Sequence, residues 1–520
     1  MEENVLIIAD GLVLTCDPDN RAGSLTLVLR SGTIIEIGED SAAIRARYPG
    51  AAVMNAAGML VTPGFVNAHV HSASHVLREV TAGIPLGGWK ANAQLRDVMS
   101  RLESPAMSPD VMTIVRAAMA AHVRSGTTAV ADMSAELEAD IYRRAIAAMG
   151  ESGMRVLSVV RTWDQMAVAR ELAAEGHVFA MDLGAEEDFT VYSLESRISA
   201  ARDAGMPLLA HAGEMREHVE MVRRNFQKPL FHVLRDFGAL HADTLCAHMN
   251  HCAEPDAQAV RDAGCTLTLC IGSAMGKQTG YPFLRSLMAH DMRLAVGTDW
   301  GAFDVLAEAR LHAQLPALIP GIPEFTAVEL LRMATINGAE TLGIGSETGS
   351  IEPGKRADLV LMKLDDIRVP AVSTPVSAES LAALLMRSPQ PPAVSDVLVQ
   401  GVFEVHNSVL VRHDEQGLLS ELHRLRERWG ISAAAPLPAS GSDEARTSLL
   451  TRSRVLQLVP REPDLPREAM PPPVQTSAAQ PHERTANLSA PKRRVSPKRP
   501  AIHPELPKDV RRVFGEDDEP

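Results

Sequence analysis

From residue 61 to residue 299 the chain repeats one unit, a short apolar run followed by a stretch with helical spacing. The first run ends at His69. The others are Thr127 to Met133, Arg155 to Val160, Phe189 to Leu194, Pro207 to His211, Thr244 to His248, Thr266 to Ile271 and Arg293 to Thr298. Helical candidates between them include Pro109 to Arg124, Leu137 to Ser152, Leu194 to Ala204 and Asp256 to Ala263. Strands that alternate with helices pair in parallel, because a parallel neighbour needs a long crossover. Eight such strands predict a (β/α)8 barrel of the TIM type, an α/β fold whose chemistry lies at the C-terminal ends of its strands.

The flanks read differently. Residues 1–58 hold short alternating runs such as Leu25-Thr26-Leu27-Val28-Leu29, with turns at Asp17-Pro18-Asp19-Asn20 and Ser31-Gly32. After Asp299 a helix is expected from Thr326 to Leu342, then strands within residues 350–363, 397–400 and 409–412. These strands should pair with the N-terminal ones in a small β-sandwich built from both ends of the chain. Leu418, Leu419, Leu422 and Leu425 keep the spacing of a last helix. The expected organisation is therefore 1–58 for the first part of the sandwich, 59–345 for the barrel and 346–433 for the second part with the terminal helix. Residues 434–520 are rich in Pro, Ser, Ala and Arg and cannot bury enough apolar surface to offset ordering entropy, so a disordered tail is expected.

A formal charge of −14 argues against a general nucleic-acid binder. No apolar stretch approaches the length of a membrane span, and Met1-Glu2-Glu3-Asn4 is acidic where a signal peptide is basic. The five cysteines sit mostly in apolar runs and read as buried free thiols, which fits a cytoplasmic location.

Four of the strand ends carry residues that bind metals. In Val61-Thr62-Pro63-Gly64-Phe65-Val66-Asn67-Ala68-His69-Val70-His71 the two histidines project to one side of a strand, since side chains alternate with period two. A lone pair of this kind is common and means little. Its recurrence does not: His211 and Glu214 follow strand five, His248 ends strand six and Asp299 follows strand eight. Imidazole and carboxylate together suit Zn2+ or Fe2+.

With Thr62-Pro63-Gly64, His211-Ala212-Gly213-Glu214, Gly297-Thr298-Asp299, Ala334-Thr335-Ile336-Asn337-Gly338-Ala339 and the run Gly349 to Leu359, the sequence resembles the amidohydrolase superfamily over residues 5–412. The branch it is most similar to holds S-adenosylhomocysteine and methylthioadenosine deaminases, guanine and cytosine deaminases, and triazine chlorohydrolases. The resemblance implies one divalent ion, Zn2+ or alternatively Fe2+, on His69, His71, His211 and Asp299. It implies Glu214 as proton shuttle, His248 as a stabiliser of charge beside the metal, and Asp299 as acceptor of the proton of water. A second metal in this superfamily needs a carboxylated lysine on strand four or a carboxylate in its place, and no lysine occurs between Ala91 and Gln227.

The implied reaction is hydrolytic deamination of an amino-substituted nitrogen heterocycle, a small molecule. Displacement of chloride and opening of a cyclic amide are the alternatives, and a scaffold acting through its tail is the non-enzymatic one. Trp89, Ser273 and Lys277 are candidate substrate contacts. The substrate-reading segments depart from the branch: Ile271-Gly272-Ser273-Ala274 replaces a Pro-x-Ser-Asn pattern, and Asp188 to Leu194 replaces a Pro-His-Ala-Pro-Tyr-like run. Glu195, after strand four, could enter the pocket. His75 and His251 read as satisfied polar residues, and His122, His177, His218, His232 and His241 as solvent-facing. Relatives form dimers or larger assemblies, so a homo-oligomer is expected, and Val513 with Phe514 could dock a protein partner.

Overall fold

The computed structural model describes residues 5–133, 137–281, 292–319, 322, 324–372 and 376–431. The tail expected from 434 onward, with Val513 and Phe514, lies outside the described residues. Five strands come first: β1 (Val5–Leu14), β2 (Ala22–Arg30), β3 (Thr33–Gly38), β4 (Ala52–Asn55) and β5 (Met59–Pro63). Eight more follow: β6 (Phe65–Val70), β7 (Thr127–Asp132), β8 (Arg155–Val160), β9 (Val178–Asp182), β10 (Leu208–Ala212), β11 (Thr244–His248), β12 (Thr266–Leu269) and β13 (Arg293–Val296). Those eight pair in sequence order, each parallel to the next. A parallel bridge between Val70 and Asp299 brings the chain beyond β13 back against β6 and closes the barrel.

The barrel interior is filled by side chains of alternating size. Ala68, Ala129, Ala131, Ala180 and Ala295 pack among Val66, Leu157, Val159, Leu209 and Leu245, all buried. Small residues let larger neighbours reach the axis, so the middle of the barrel is solid and any ligand must sit at an end.

The C-terminal strands β14 (Leu359–Lys363), β15 (Ala393–Val399), β16 (Val402–His406) and β17 (Val409–Leu410) join the N-terminal ones. The join is antiparallel, β14 on β5, with Leu359 opposite Pro63 and Lys363 opposite Met59. One mixed sheet results, ordered β17-β16-β15-β14-β5-β1-β2-β3, with β4 also on β1. It curls around a core holding Ile8, Leu27, Val61, Leu361 and Leu398, residues from five of its strands. Its far edge returns on itself: Thr33 bridges to Arg356, and Gly32 packs so tightly that a Cβ there would meet the Gln400 carbonyl oxygen at 1.9 Å.

Two elements differ from the expectation. Strand four is Val178–Asp182, and the run at 189–194 instead starts a helix, Val191–Ala204. Thr190 caps that helix reciprocally with Ser193: Ser193 N donates to Thr190 Oγ1 at 3.0 Å and Thr190 N donates to Ser193 Oγ at 2.9 Å. In its first turn Val191 and Tyr192 are exposed, Tyr192 by 78%, and only Leu194 enters the core. The helix expected over 326–342 is two, Ala327–Met333 and Ile336–Thr341, because Thr335 leaves helical geometry with φ −133° and ψ −97°. His122 is buried edge-on against Phe303 at 4.7 Å between ring centroids, and does not face solvent. All five cysteines are free, and no helix among the described residues is long and apolar enough to cross a membrane.

Candidate metal and catalytic site

The closure of the barrel builds the site. Asn67 Nδ2 donates to Thr298 Oγ1 at 2.8 Å, and Thr298 N donates back to Asn67 Oδ1 at 3.0 Å. Asp299 N donates to the His69 carbonyl at 2.9 Å, and His71 N donates to the Asp299 carbonyl at 3.4 Å. This clasp brings His69 of β6 and His71 just beyond it against Asp299 although more than 200 residues separate them. His248 and Asp299 hold left-handed backbone, with φ 82° and 47°. Such conformations are costly for residues with a Cβ and cluster at functional sites.

Asp299 Oδ1 lies 3.1 Å from His71 Nε2 and 3.6 Å from His69 Nε2. His211, from β10, brings its Nε2 to 3.3 Å from that of His71. One donor atom from each of His69, His71 and His211 lies within 4.8 Å of the others, and the same holds for His69, His248 and Asp299. Both ring nitrogens of His69, Nδ1 of His211, Nε2 of His248 and Oδ1 of Asp299 are buried with no hydrogen-bond partner. Buried polar atoms are almost always satisfied, so orphaned donors in two overlapping groups that share His69 fit a bound cation.

The electrostatics agree. Burial lowers the pKa of His69 to about 4, and it also pushes His211 and His248 down, so all three imidazoles are held in the neutral form that binds metals. Burial alone would raise Asp299, but the Lys277 charge and the neighbouring His69 and His71 imidazoles hold it well below the usual range. Asp182 ends β9 where a second carboxylate ligand could stand. It is engaged instead by Arg161 Nε at 2.8 Å and by Gly184 N at 3.1 Å, and no group of metal-type donors among the described residues includes it.

Glu214 follows β10 through Gly213, whose φ of 74° turns the chain and where a Cβ would lie 2.4 Å from Cys252 Sγ. Its Oε1 accepts from Lys277 Nζ at 2.9 Å, and its Oε2 lies 3.9 Å from His248 Nε2. Burial would raise Glu214, but His248 and Lys277 outweigh it and lower its pKa. Ser273 Oγ and Lys277 Nζ both donate to Asp299 Oδ2, each at 2.6 Å.

A cavity of about 620 Å3 opens above this cluster, with His71, His211, Glu214 and Lys277 in its floor. Trp89 and Trp300 form one wall, their ring centroids 4.5 Å apart, and Trp89 Nε1 is fixed by a 3.0 Å bond to the Ile84 carbonyl. Of the three expected substrate contacts, Trp89 and Lys277 line the cavity, while Ser273 is buried beneath Asp299.

Several lining residues escaped the sequence. Trp300 had a signal, as the neighbour of Asp299. Glu186 and Glu187 were hidden by the misplaced strand four, since they follow the true one. Burial pushes Glu186 up to about 8, and its carboxylate accepts from Gly213 N. His218 pairs with Glu187 at 3.0 Å on the cavity wall, not in open solvent. Glu195, considered for the pocket, is exposed on its helix.

Known proteins are similar to this chain in sequence and in fold. A 5-methylthioadenosine/S-adenosylhomocysteine deaminase of Pelotomaculum thermopropionicum is 26% identical over 447 residues, covering 81% of this chain and 97% of the relative. The crystal structure of an adenosine deaminase from Xanthomonas campestris with bound zinc superposes with a TM-score of 0.74 at 23% identity, covering 82% of this chain and 99% of that one. A triazine hydrolase from Arthobacter aurescens gives a TM-score of 0.71 at 20% identity, covering 81% and 99%. The sequence model of the amidohydrolase family matches residues 60–403, from the last N-terminal strand of the flanking sheet through the whole barrel, and the chain belongs to that family.

Proposed function

We propose that this protein is a metal-dependent hydrolase that deaminates an amino-substituted nitrogen heterocycle, holding one divalent ion, Zn2+ in preference to Fe2+, on His69, His71, His211 and Asp299. The observation that carries the reading is the set of buried, neutral imidazoles and a lone carboxylate oxygen at the floor of a cavity, with a second carboxylate, Glu214, beside it. The deaminase activity of a relative aligned over nearly its whole length supports it.

An ion bound there supplies Lewis acidity, lowering the pKa of a water from 15.7 toward about 7. The chain does the rest. Asp299 receives the proton of the attacking water, and Glu214 carries a proton to the ring nitrogen next to the amino-bearing carbon. His248, 3.9 Å from Glu214, faces the negative charge that builds on the oxygen. The bond from that carbon to the amino nitrogen then breaks, and the nitrogen leaves as ammonia once protonated. Trp89 and Trp300 offer flat apolar surface to a flat ring and keep bulk water from it. The substrate is a small molecule. We further read the enzyme as cytoplasmic and as a homo-oligomer, by analogy with its relatives.

The test is ammonia release by the metal-loaded protein across aminopurines, their nucleosides, aminopyrimidines and aminotriazines, with chloro analogues and cyclic amides alongside. Ammonia from at least one amino compound is expected. Chloride release or ring opening in the absence of ammonia would move the assignment to those reactions.

A further inference from the structure

Lys277 is the last residue of the short helix Ile271–Lys277 that follows β12. Lysine is almost never buried unless paired, yet this side chain is only 6% exposed and reaches inward under the two tryptophans, its Nζ 5.6 Å from the Trp89 ring and 5.9 Å from that of Trp300. It has two partners, Glu214 Oε1 at 2.9 Å and Asp299 Oδ2 at 2.6 Å. Neither is near it in the chain. The helix is held at this depth by its exit: Gln278 is left-handed at φ 57°, Thr279 N donates to the Ala274 carbonyl, and Asn250 Nδ2 donates to Thr279 Oγ1 at 3.1 Å.

We infer that Lys277 is a positioning residue that ties Glu214 to Asp299 and so fixes which oxygen each carboxylate offers to the reaction. The inference rests on the deaminase reading above and assigns Lys277 a role beyond lining the cavity. Asp299 shows the selection most clearly. Its Oδ2 takes both Ser273 and Lys277, which leaves Oδ1 alone turned to His69 and His71. Lys277 and the His69 and His71 imidazoles therefore engage different oxygens of Asp299. Glu214 is treated the same way, with Oε1 on Lys277 and Oε2 toward His248. Without the ammonium, two buried carboxylates would face each other across the gap and repel, and each could turn either oxygen inward. Proton transfer depends steeply on such placement.

The experiment uses the full-length, metal-loaded protein with Lys277→Met, Lys277→Arg, Glu214→Gln and the double variant. Lys277→Met is expected to keep its metal and lose at least about 10²-fold in kcat with KM changed less than about threefold, because the loss acts through the proton carrier. In the Glu214→Gln background the same substitution should cost less than about threefold, the non-additivity of residues that act as a unit. Lys277→Arg, which keeps a cation in the gap, should recover part of the rate. A second readout needs no substrate: in cobalt-substituted protein the visible spectrum should change in Lys277→Met, as Asp299 is freed to turn, and stay near wild type in Lys277→Arg. A Lys277→Met enzyme within about threefold of wild-type kcat, or losses that add in the double variant, would overturn the inference. So would a cobalt spectrum that does not move. If the wild type releases ammonia from nothing, the deaminase reading falls and the cobalt spectrum alone decides the role of Lys277. Should Lys277→Met fail to fold, Lys277→Gln, which keeps a donor in the gap, is read against the same outcomes.

Discussion

The floor of the cavity and its wall are built from different parts of the barrel. The floor and the metal-type cluster beneath it rest on strand ends: His69 lies in β6, His211 in β10 and His248 ends β11, while Asp299 hydrogen-bonds across the barrel closure to the backbone of His69. The wall is connection: the turn of 3-10 helix Leu86–Ala91 carries Trp89, the short Glu186–Asp188 turn carries the two glutamates, and Trp300 follows Asp299 in a loop. His69, His248 and Asp299 beneath the floor are almost wholly buried, and His211 opens furthest to the cavity at 16% exposure. Several wall side chains keep contact with water, as the 90% exposed Lys90 side chain shows where it pairs with Glu187 at 3.5 Å, whereas Glu186 is buried. A strand end offers a fixed direction set by the whole hydrogen-bonded sheet, whereas a loop can change its sequence without disturbing that sheet. Reaction type is thus a property of the floor and substrate choice a property of the wall.

The largest effects should come from the floor. His69→Ala or His71→Ala removes one of the clustered imidazoles, and both metal content and turnover should fall to background, checked by elemental analysis and ammonia release. Glu214→Gln should separate the two: metal stays bound while kcat drops by about 10²–10⁴, since an amide can occupy the place but cannot carry a proton. Normal metal content in the histidine variants would end the metal assignment. A Glu214→Gln enzyme with near wild-type kcat would hand the proton to another group.

The same division governs what the sequence makes legible. His69, His71, His211, His248 and Asp299 stand out because each closes an apolar run, and a polar ligand-type residue there has no packing reason to exist. The barrel is legible for a related reason, as burial on both faces makes its strands continuous apolar runs. Strand four was the exception. Val178 to Met181 is a shorter run than Phe189 to Leu194, and only the reciprocal cap of Thr190 and Ser193 reveals the latter as the start of a helix. That one error concealed Glu186 and Glu187. Lys277 was legible only in part: the sequence offers it as a substrate contact, but its pairing with Glu214 spans 63 residues, a distance across which no local pattern carries information. His122, on an amphipathic helix, looks solvated until Phe303 arrives from 181 positions further along to bury it.

The wall predicts smaller losses of another kind. Trp89→Ala removes one face of the aromatic pair and should raise KM by about tenfold, the equivalent of the roughly 1.5 kcal/mol at the upper end for an aromatic contact, with metal content and kcat largely kept. Steady-state kinetics with the best substrate of the panel reads this directly. If Trp89→Ala instead strips the metal or lowers kcat as the floor variants do, wall and floor are one unit and the comparison fails.

The smallest effect concerns the end of the chain. The helix Glu415–Trp429 buries Leu425 and Trp429, and Trp429 Nε1 donates to Asp110 Oδ2 at 2.8 Å. Gly430 ends it in the left-handed conformation, its carbonyl accepting from Gln94 Nε2 at 3.0 Å, and Ile431 is the last buried residue described. By that point the helix has its cap and its packing. Residues 434–520 hold few large apolar side chains in their sequence. A chain ending at residue 433 should therefore melt within about 2 °C of the full-length protein, hold the same metal and keep kcat within about twofold. A chain ending at residue 413, which lacks the helix, should be destabilised by several kcal/mol, because a buried tryptophan alone is worth about 3–5 kcal/mol on truncation to alanine. Calorimetry on the two shortened proteins separates the cases. If the longer one already melts well below the full chain, or loses its metal, the last residues belong to the folded enzyme and the division at 433 is misplaced.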